Sequence, residues 1–202
     1  MITFESIMSI DKNALPEAAK TLSSGDISQL VEWLALKDDN IRYQAFKLLQ
    51  YRSISFGDVY PYWNIFRNKL SSDNSYQRSI GLMLIADNAK WDSEDRMENV
   101  IDEYLMLLND EKPITIRQCI QSLEKIAPYK PDLNSKIAES LVSFNLMDIK
   151  ETMRRSILLD ILNVLLVIRK ELKKDIIESF ILNALSGDVL DEKSRKQIEA
   201  LL

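Results

Sequence analysis

An arginine recurs five times along this chain, at a nearly constant spacing of 36 to 40 residues. Three and six residues after each arginine come positions that an amphipathic helix would bury. A fixed period of this length is typical of helical repeat arrays, in which each unit buries its apolar face against its neighbours. The five arginines are Arg42, Arg78, Arg117, Arg155 and Arg195.

The composition agrees with such an array and argues against several other classes. The 202 residues include only 4 Gly and 5 Pro, which is little turn chemistry for an all-β fold. No run reaches the roughly 18 apolar residues of a membrane span, and the N-terminus lacks the features of a signal peptide, so we expect a cytoplasmic protein without a membrane segment. The net charge of −5 makes nucleic acid an unlikely main partner.

Helical periodicity divides the chain into a short helix near 14–22 and a series of helix pairs. Short connections within the pairs make the paired helices antiparallel. We therefore predict an all-α fold, a right-handed α-α superhelix of four to five helix pairs that forms a single domain over residues 1–202. The pairs are predicted at 26–52, 58–89, 94–127, 132–168 and 171–202, with 94–109 as the first helix of the third pair.

The segment from Asp38 to Leu49 resembles the turn and second helix of a HEAT repeat. It reads Asp-Asp-Asn-Ile-Arg-x-x-Ala-x-x-Leu-Leu, and the family pattern is Asp-Pro-x-Val-Arg-x-x-Ala-x-x-x-Leu. The second repeat departs from that pattern, with Gln77 in place of the apolar residue and Gly81 in place of alanine. The resemblance covers about residues 26–202 and implies a HEAT-like, armadillo-like α-solenoid. HEAT arrays serve unrelated roles, so the resemblance implies no single function.

Residues 74–92 and 112–120 are similar to short bacterial HEAT-like proteins, some of which carry the label "SufBD protein". That label would imply iron–sulfur cluster assembly. One cysteine and no histidine are too few soft ligands for a cluster site.

The residue types needed for common catalytic sites are missing. Without histidine the chain has no Ser-His-Asp or Cys-His nucleophile and no histidine-based zinc site. It also lacks the glycine-rich loops that bind nucleotide phosphates. Cys119 is expected to be a small buried residue. We therefore expect no cofactor and no metal, and favour a non-enzymatic protein, although chemistry by carboxylates alone remains open.

The arginine series has two interpretations. In HEAT repeats an arginine at this position commonly bonds an aspartate of a neighbouring turn, and Asp38, Asp73 and Asp110 lie in comparable turns. A bidentate Arg–carboxylate contact would fix the stagger between repeats, so we favour a structural ladder. The alternative is a row of arginines that binds a ligand.

The second helices of the pairs carry more Lys and Arg than Asp and Glu, whereas the rest of the chain is acidic. Second helices usually line the concave side of a HEAT array, so we predict a scaffold or adaptor whose concave face binds a protein or peptide, with acidic partners favoured. The densest basic group of the chain is a candidate for this partner-binding surface, and the alternative is that it is an ordinary solvated helix face. That group comprises Arg154, Arg169, Lys170, Lys173 and Lys174.

Three further hypotheses remain open. A DNA-binding or DNA-repair enzyme resembling the HEAT-like alkylpurine DNA glycosylases would use residue types such as Trp91, Asp92 and Arg96. A homodimer could form through the last helix, predicted at 190–202. The aromatic residues of the first two pairs could anchor a partner, although core packing is favoured for them. They are Trp33, Tyr43, Tyr51, Tyr60, Tyr62, Trp63 and Phe66.

Overall fold

The computed structural model describes residues 2–202 and is all-helical over that range, which confirms the predicted all-α fold. The described chain divides into two compact units, and the boundary in the sequence falls between Glu94 and Asp95. The first unit contains α1 (Phe4–Met8), α2 (Leu15–Lys20), α3 (Ser24–Trp33), α4 (Asp39–Ser55), α5 (Trp63–Lys69) and α6 (Ser75–Asn88). The second contains α7 (Ile101–Met106), α8 (Pro113–Ile126), α9 (Asn134–Val142), α10 (Glu151–Arg169), α11 (Asp175–Ser186) and α12 (Glu192–Glu199).

Short polar side chains start several of these helices. Ser23 and Asp26 form a reciprocal capping box at the start of α3. The carboxylate of Asp38 accepts hydrogen bonds from the first amides of α4, and Asn74 and Asp191 do the same for α6 and α12. Such caps satisfy amides that have no partner inside the helix, so they fix where each helix begins.

In the first unit, α4 and α6 pack side by side, and each also packs against the helix that precedes it, α3 or α5. Polar bonds join the two second helices: Gln50 donates to Asp87 over 2.7 Å and Asn88 donates to Ser53 over 3.0 Å. The core between the helices is apolar, and its largest fully buried side chains in this unit include Trp63 and Phe66.

In the second unit, α8 packs against α10, while α9 packs against both α10 and α11. Helix α12 packs against α10, and its Ile198 is fully buried. Second helices therefore contact second helices within each unit, as a repeat array requires. The HEAT assignment, the right-handed superhelix and the single continuous domain stay predictions.

The first helix of the third pair is shorter than the predicted 94–109. Residues 94–100 form turns, and α7 begins only at Ile101. Asp95 has a φ of 52°, a left-handed conformation that no helix can continue through. Its carboxylate accepts a hydrogen bond from the Lys130 ammonium over 2.8 Å, which holds the interruption in place. Helix α1 is absent from the sequence prediction, because five residues are too few for a clear helical period.

Most of the aromatic residues of the first two pairs belong to the core. Trp33, Tyr60, Trp63 and Phe66 are buried, whereas Tyr43 is 52% exposed. The remaining two, Tyr51 and Tyr62, are half-buried.

Between residues 2 and 202 the helices are all too short or too polar to cross a membrane.

Candidate functional site

The close approach of α5 and α6 is set by Gly81. A Cβ atom built on Gly81 would lie 2.7 Å from the carbonyl oxygen of Phe66 and 3.0 Å from the Cβ of Lys69. Glycine in a helix interior is destabilising by about 0.5–1 kcal/mol relative to alanine. The close contact with α5 explains why position 81 nevertheless has a glycine. The consequence is that the last turn of α5, which carries Lys69, lies directly against α6.

The Lys69 side chain is then held by Gln77, the other departure from the HEAT pattern in this repeat. The Lys69 ammonium donates a hydrogen bond to the Gln77 carboxamide oxygen. The Gln77 amide nitrogen donates in turn to the backbone carbonyl of Leu34, at the end of α3, over 2.8 Å. Gln77 thereby ties the lysine to the preceding helix pair.

A second cation, Arg42, lies in the same region and is only 8% exposed. Its guanidinium donates to the carbonyl of Leu36 over 2.8 Å and to the carboxylate of Asp39. It also lies 5.8 Å from the ring centroid of Tyr76, within range of a cation–π contact.

These groups line a cleft of about 580 Å³, which we call the Lys69 cleft. Lys37, Arg42 and Lys69 give it three positive charges, against one negative charge from Asp39. Partial burial, with a further contribution from the charge of Arg42, lowers the pKa of Lys69. Burial and the neighbouring cation thus disfavour the charged form of Lys69. An anion bound in the cleft would stabilise that charged form. The rest of the lining mixes polar and apolar residues: Ala35, Leu36, Ile65, Asn68, Ser72, Asn74, Tyr76 and Gln77.

Three arginines of the predicted ladder bind the turn that precedes their own helix. Arg42 reaches Leu36, as described above. Arg78 donates to the carbonyls of Ser72 and Asp73 over 2.7 and 3.1 Å, and Arg195 donates to the carbonyl of Gly187 over 2.5 Å. These bonds fasten the turn between the two helices of a pair.

The other two arginines reach the next helix pair. Arg117 donates from Nε and Nη2 to the two oxygens of Asp160, on α10, over 2.7 and 3.3 Å. The hydrogen bond that the Arg117 guanidinium donates to Asp160 raises the pKa of the guanidinium. Arg155 pairs with Asp191, the N-cap residue of α12. Asp38 and Asp110, two of the aspartates expected in the ladder, accept hydrogen bonds from amides of their own turns.

The structure places Arg154 apart from the other four members of the predicted basic group, which lie within residues 169–174. Arg154 and Arg169 lie at opposite ends of α10, and 15 residues of helix separate them by about 22 Å. Arg154 donates to the carbonyls of Ile149 and Met147, and Arg169 forms an ion pair with Glu178. Lys174 pairs with Glu139. The remaining two members, Lys170 and Lys173, are exposed.

Of the residues considered for a glycosylase-like pocket, Trp91 and Asp92 form hydrogen bonds within the first unit. Trp91 donates from its indole nitrogen to the carbonyl of Ser53 over 2.8 Å, and buried Asp92 accepts a hydrogen bond from the Tyr60 hydroxyl over 2.7 Å. Arg96 belongs to the second unit. Cys119 is fully buried, and burial raises the pKa of its thiol.

Sequence reasoning did not identify Lys69 as a candidate. A lysine in the last turn of a helix is ordinary, because cations there are favoured by the helix dipole. The available signal was indirect: Gln77 and Gly81 both depart from the repeat pattern, four residues apart on one face of α6. In the structure both departures meet at Lys69.

Comparisons with known proteins bear on the fold only. No model of a protein family and no curated protein matches the chain. Among solved structures, an engineered protein determined by crystallography as a target of the Northeast Structural Genomics Consortium matches over 100% of this chain and 96% of its own, with a TM-score of 0.55 and 15% identity. At that identity the likeness concerns the fold alone, so the chain stands as an all-α protein whose function has to be argued from its own residues.

Proposed function

We propose that this chain is a non-enzymatic, HEAT-like binding protein, and that its first unit docks an acidic segment of a partner protein in the Lys69 cleft. The observation that carries the proposal is the pairing of two partly or largely buried cations, Lys69 and Arg42, in one cleft.

The charges of the cleft favour an anionic group. Arg42 already has the Asp39 carboxylate as a partner, whereas the partner of Lys69 is the neutral side chain of Gln77. Lys37 is exposed and forms no hydrogen bond or ion pair within residues 2–202. A carboxylate that enters the cleft would therefore find two ammonium groups without a counterion.

The surroundings of the cleft favour a peptide over a small anion. Ile65 and Tyr76 line the cleft and are 44% and 68% exposed. Exposed aromatic and aliphatic side chains beside a charged centre are typical of protein-binding surfaces, where tyrosine often contributes much of the affinity. The expected ligand is an acidic residue with an apolar neighbour.

A photo-crosslinking experiment tests this proposal. Tyr76 is replaced by a photoreactive phenylalanine analogue, crosslinked proteins are recovered from the native cell, and the binding of each purified candidate is measured by calorimetry. We expect the Lys69→Gln substitution to weaken the binding of the genuine partner about tenfold or more, because it removes an ion pair that is shielded from water.

The matched control is Lys20→Gln, which removes an exposed lysine whose ion pair with Glu17 lies within a single helical turn. A partner that binds wild type, Lys69→Gln and Lys20→Gln with equal affinity would show that the Lys69 cleft is not its docking site.

A further inference from the structure

A second cleft, in the other unit, has the same construction and the opposite charge. It has a volume of about 500 Å³ and lies between the end of α7, the end of α9 and the turn before α10. We call it the acidic cleft. The side chains used in the argument below are Leu108, Ile116, Phe144, Ile149, Asp110 and Asp148.

The floor of the acidic cleft is apolar. Leu108, Ile116 and Ile149 are between 4% and 8% exposed, so each presents only a small part of its surface. Phe144 is half-buried at the side. A ligand that covers this floor must therefore have an aliphatic or otherwise apolar part.

The ionisable groups that line the cleft are both acids. Asp110 and Asp148 stand among the lining residues, which include no lysine or arginine. Asp110 accepts a hydrogen bond from the backbone amide of Lys112 over 2.8 Å, which fixes its position. The Asp148 carboxylate makes no ion pair or hydrogen bond in the described part of the chain.

The turn that carries Asp148 is held from behind by Arg154. The guanidinium of Arg154 donates to the carbonyls of Ile149 and Met147 over 2.9 and 3.2 Å. Asn145 caps the same turn by accepting a hydrogen bond from the amide of Met147 over 3.1 Å. The rim of the cleft is thus positioned before any ligand arrives, which lowers the entropic penalty of binding.

From this geometry we propose that the acidic cleft binds a cationic side chain of a partner protein, an arginine or lysine whose aliphatic stem covers the apolar floor and whose charged head pairs with Asp148. Long basic side chains combine these two parts, because their methylene stems pack on apolar surface while the charge stays at the rim. The Lys69 cleft lies at the corresponding place in its own helix pairs and is lined by cations instead of acids. The fold therefore does not require acidic residues at this place. This proposal does not depend on the function proposed for the Lys69 cleft.

The test uses the full-length protein with ¹³C-labelled isoleucine methyl groups and three small probes. N-acetylarginine methylamide carries stem and charge, its citrulline analogue has nearly the same shape without charge, and its norleucine analogue has only the apolar stem. We expect the arginine probe to shift the methyl signals of Ile116 and Ile149 with the highest affinity of the three. Asp148→Asn should weaken its binding about three- to fivefold, as expected for the loss of an exposed ion pair.

Asp132→Asn, at an exposed position in the same unit, serves as the matched control and should leave the affinity unchanged. Equal affinity of the arginine and citrulline probes would overturn the proposal, and so would an Asp148→Asn protein that binds like wild type. If light scattering shows a dimer that keeps the probes from these methyl groups, a second copy of the chain occupies the cleft and the proposal is wrong.

Discussion

The charge on Lys69 depends on what occupies its cleft. In the free protein the ammonium has a carboxamide oxygen as its partner and Arg42 as a neighbouring cation. An incoming carboxylate would supply the missing counterion and raise the lysine pKa towards its ordinary value. Docking at alkaline pH is therefore expected to take up a proton.

The depressed pKa of Lys69 predicts a pH dependence of stability. Because burial and Arg42 lower this pKa from 10.5, the folded protein loses the proton at a lower pH than the unfolded chain. The unfolded state binds more protons between the two pKa values, so the Lys69 contribution to the free energy of unfolding rises with pH through that window and levels off above 10.5. The measurement is urea unfolding across alkaline pH for wild type and Lys69→Gln. If the difference between the two proteins does not change with pH, the lysine is not perturbed.

Cys119 should be chemically inert in the folded protein. The thiol is fully buried and donates a weak hydrogen bond to the carbonyl of Tyr104 over 3.3 Å. Since the thiolate is the reactive form and burial raises the thiol pKa, we expect no labelling by a thiol reagent in buffer and one equivalent in denaturant. Rapid labelling under native conditions would mean that the core around α8 opens.

At the scale of helices, two kinds of contact hold neighbouring elements in place. Helix α5 approaches α6 through Gly81 at backbone distance, whereas α8 and α10 are joined by the bidentate bond between Arg117 and Asp160. The first contact depends on the absence of a side chain and the second on the geometry of a planar guanidinium.

Gly81→Ala is expected to destabilise the protein. The added methyl group would meet the Phe66 carbonyl at 2.7 Å, and overpacking of this kind costs about 1–3 kcal/mol, more than the roughly 1 kcal/mol gained in helix propensity. Gly25→Ala is the matched control: its Cβ would meet only Ser23 Oγ, at 3.9 Å, so it should be neutral or stabilising. Urea unfolding of both variants checks the pair, and a Gly81→Ala protein as stable as Gly25→Ala would contradict the close approach.

Asp160→Asn should lower the free energy of unfolding by about 1–2 kcal/mol. The Asp160 carboxylate is 11% exposed and accepts hydrogen bonds from both Arg117 and Gln121. An asparagine keeps the shape but loses the charge and one acceptor. Asp188→Asn removes an exposed carboxylate and should change the stability little, which calibrates the measurement.

The sequence predicted the long second helices well because their apolar period continues over several turns. The second helices of the predicted pairs 26–52 and 132–168 correspond to α4 (Asp39–Ser55) and α10 (Glu151–Arg169). The interruption at Asp95 could not be predicted, since it depends on Lys130, which lies 35 residues away. The Lys69 cleft was missed for the same reason: it assembles from two helix pairs, and each of its cations looks ordinary in its own segment.

On the scale of the whole molecule, the change from the first to the second unit falls in a segment without helix. Ser93, Glu94 and Asp95 are exposed and lie between the 3₁₀ turn at Ala89–Trp91 and helix α7. Proteases attack exposed, non-helical segments first.

Limited digestion of the native protein with a glutamate-specific protease should therefore cut first after Glu94 or Glu98. Mass spectrometry of the early products identifies the bond. First cleavage inside a helix, at Glu124 of α8 or Glu139 of α9 for example, would show that the segment between the units is better protected than the helices themselves.

The three arginines that bind their own turns have a consequence for how such a chain can change length during evolution. The bonds that Arg42, Arg78 and Arg195 donate to the backbone carbonyls of these turns span only 5 to 8 residues of sequence. A duplicated helix pair would carry these bonds with it. Arg117 and Arg155, which reach 43 and 36 residues ahead, mark the junctions where gain or loss of a repeat would break a bond.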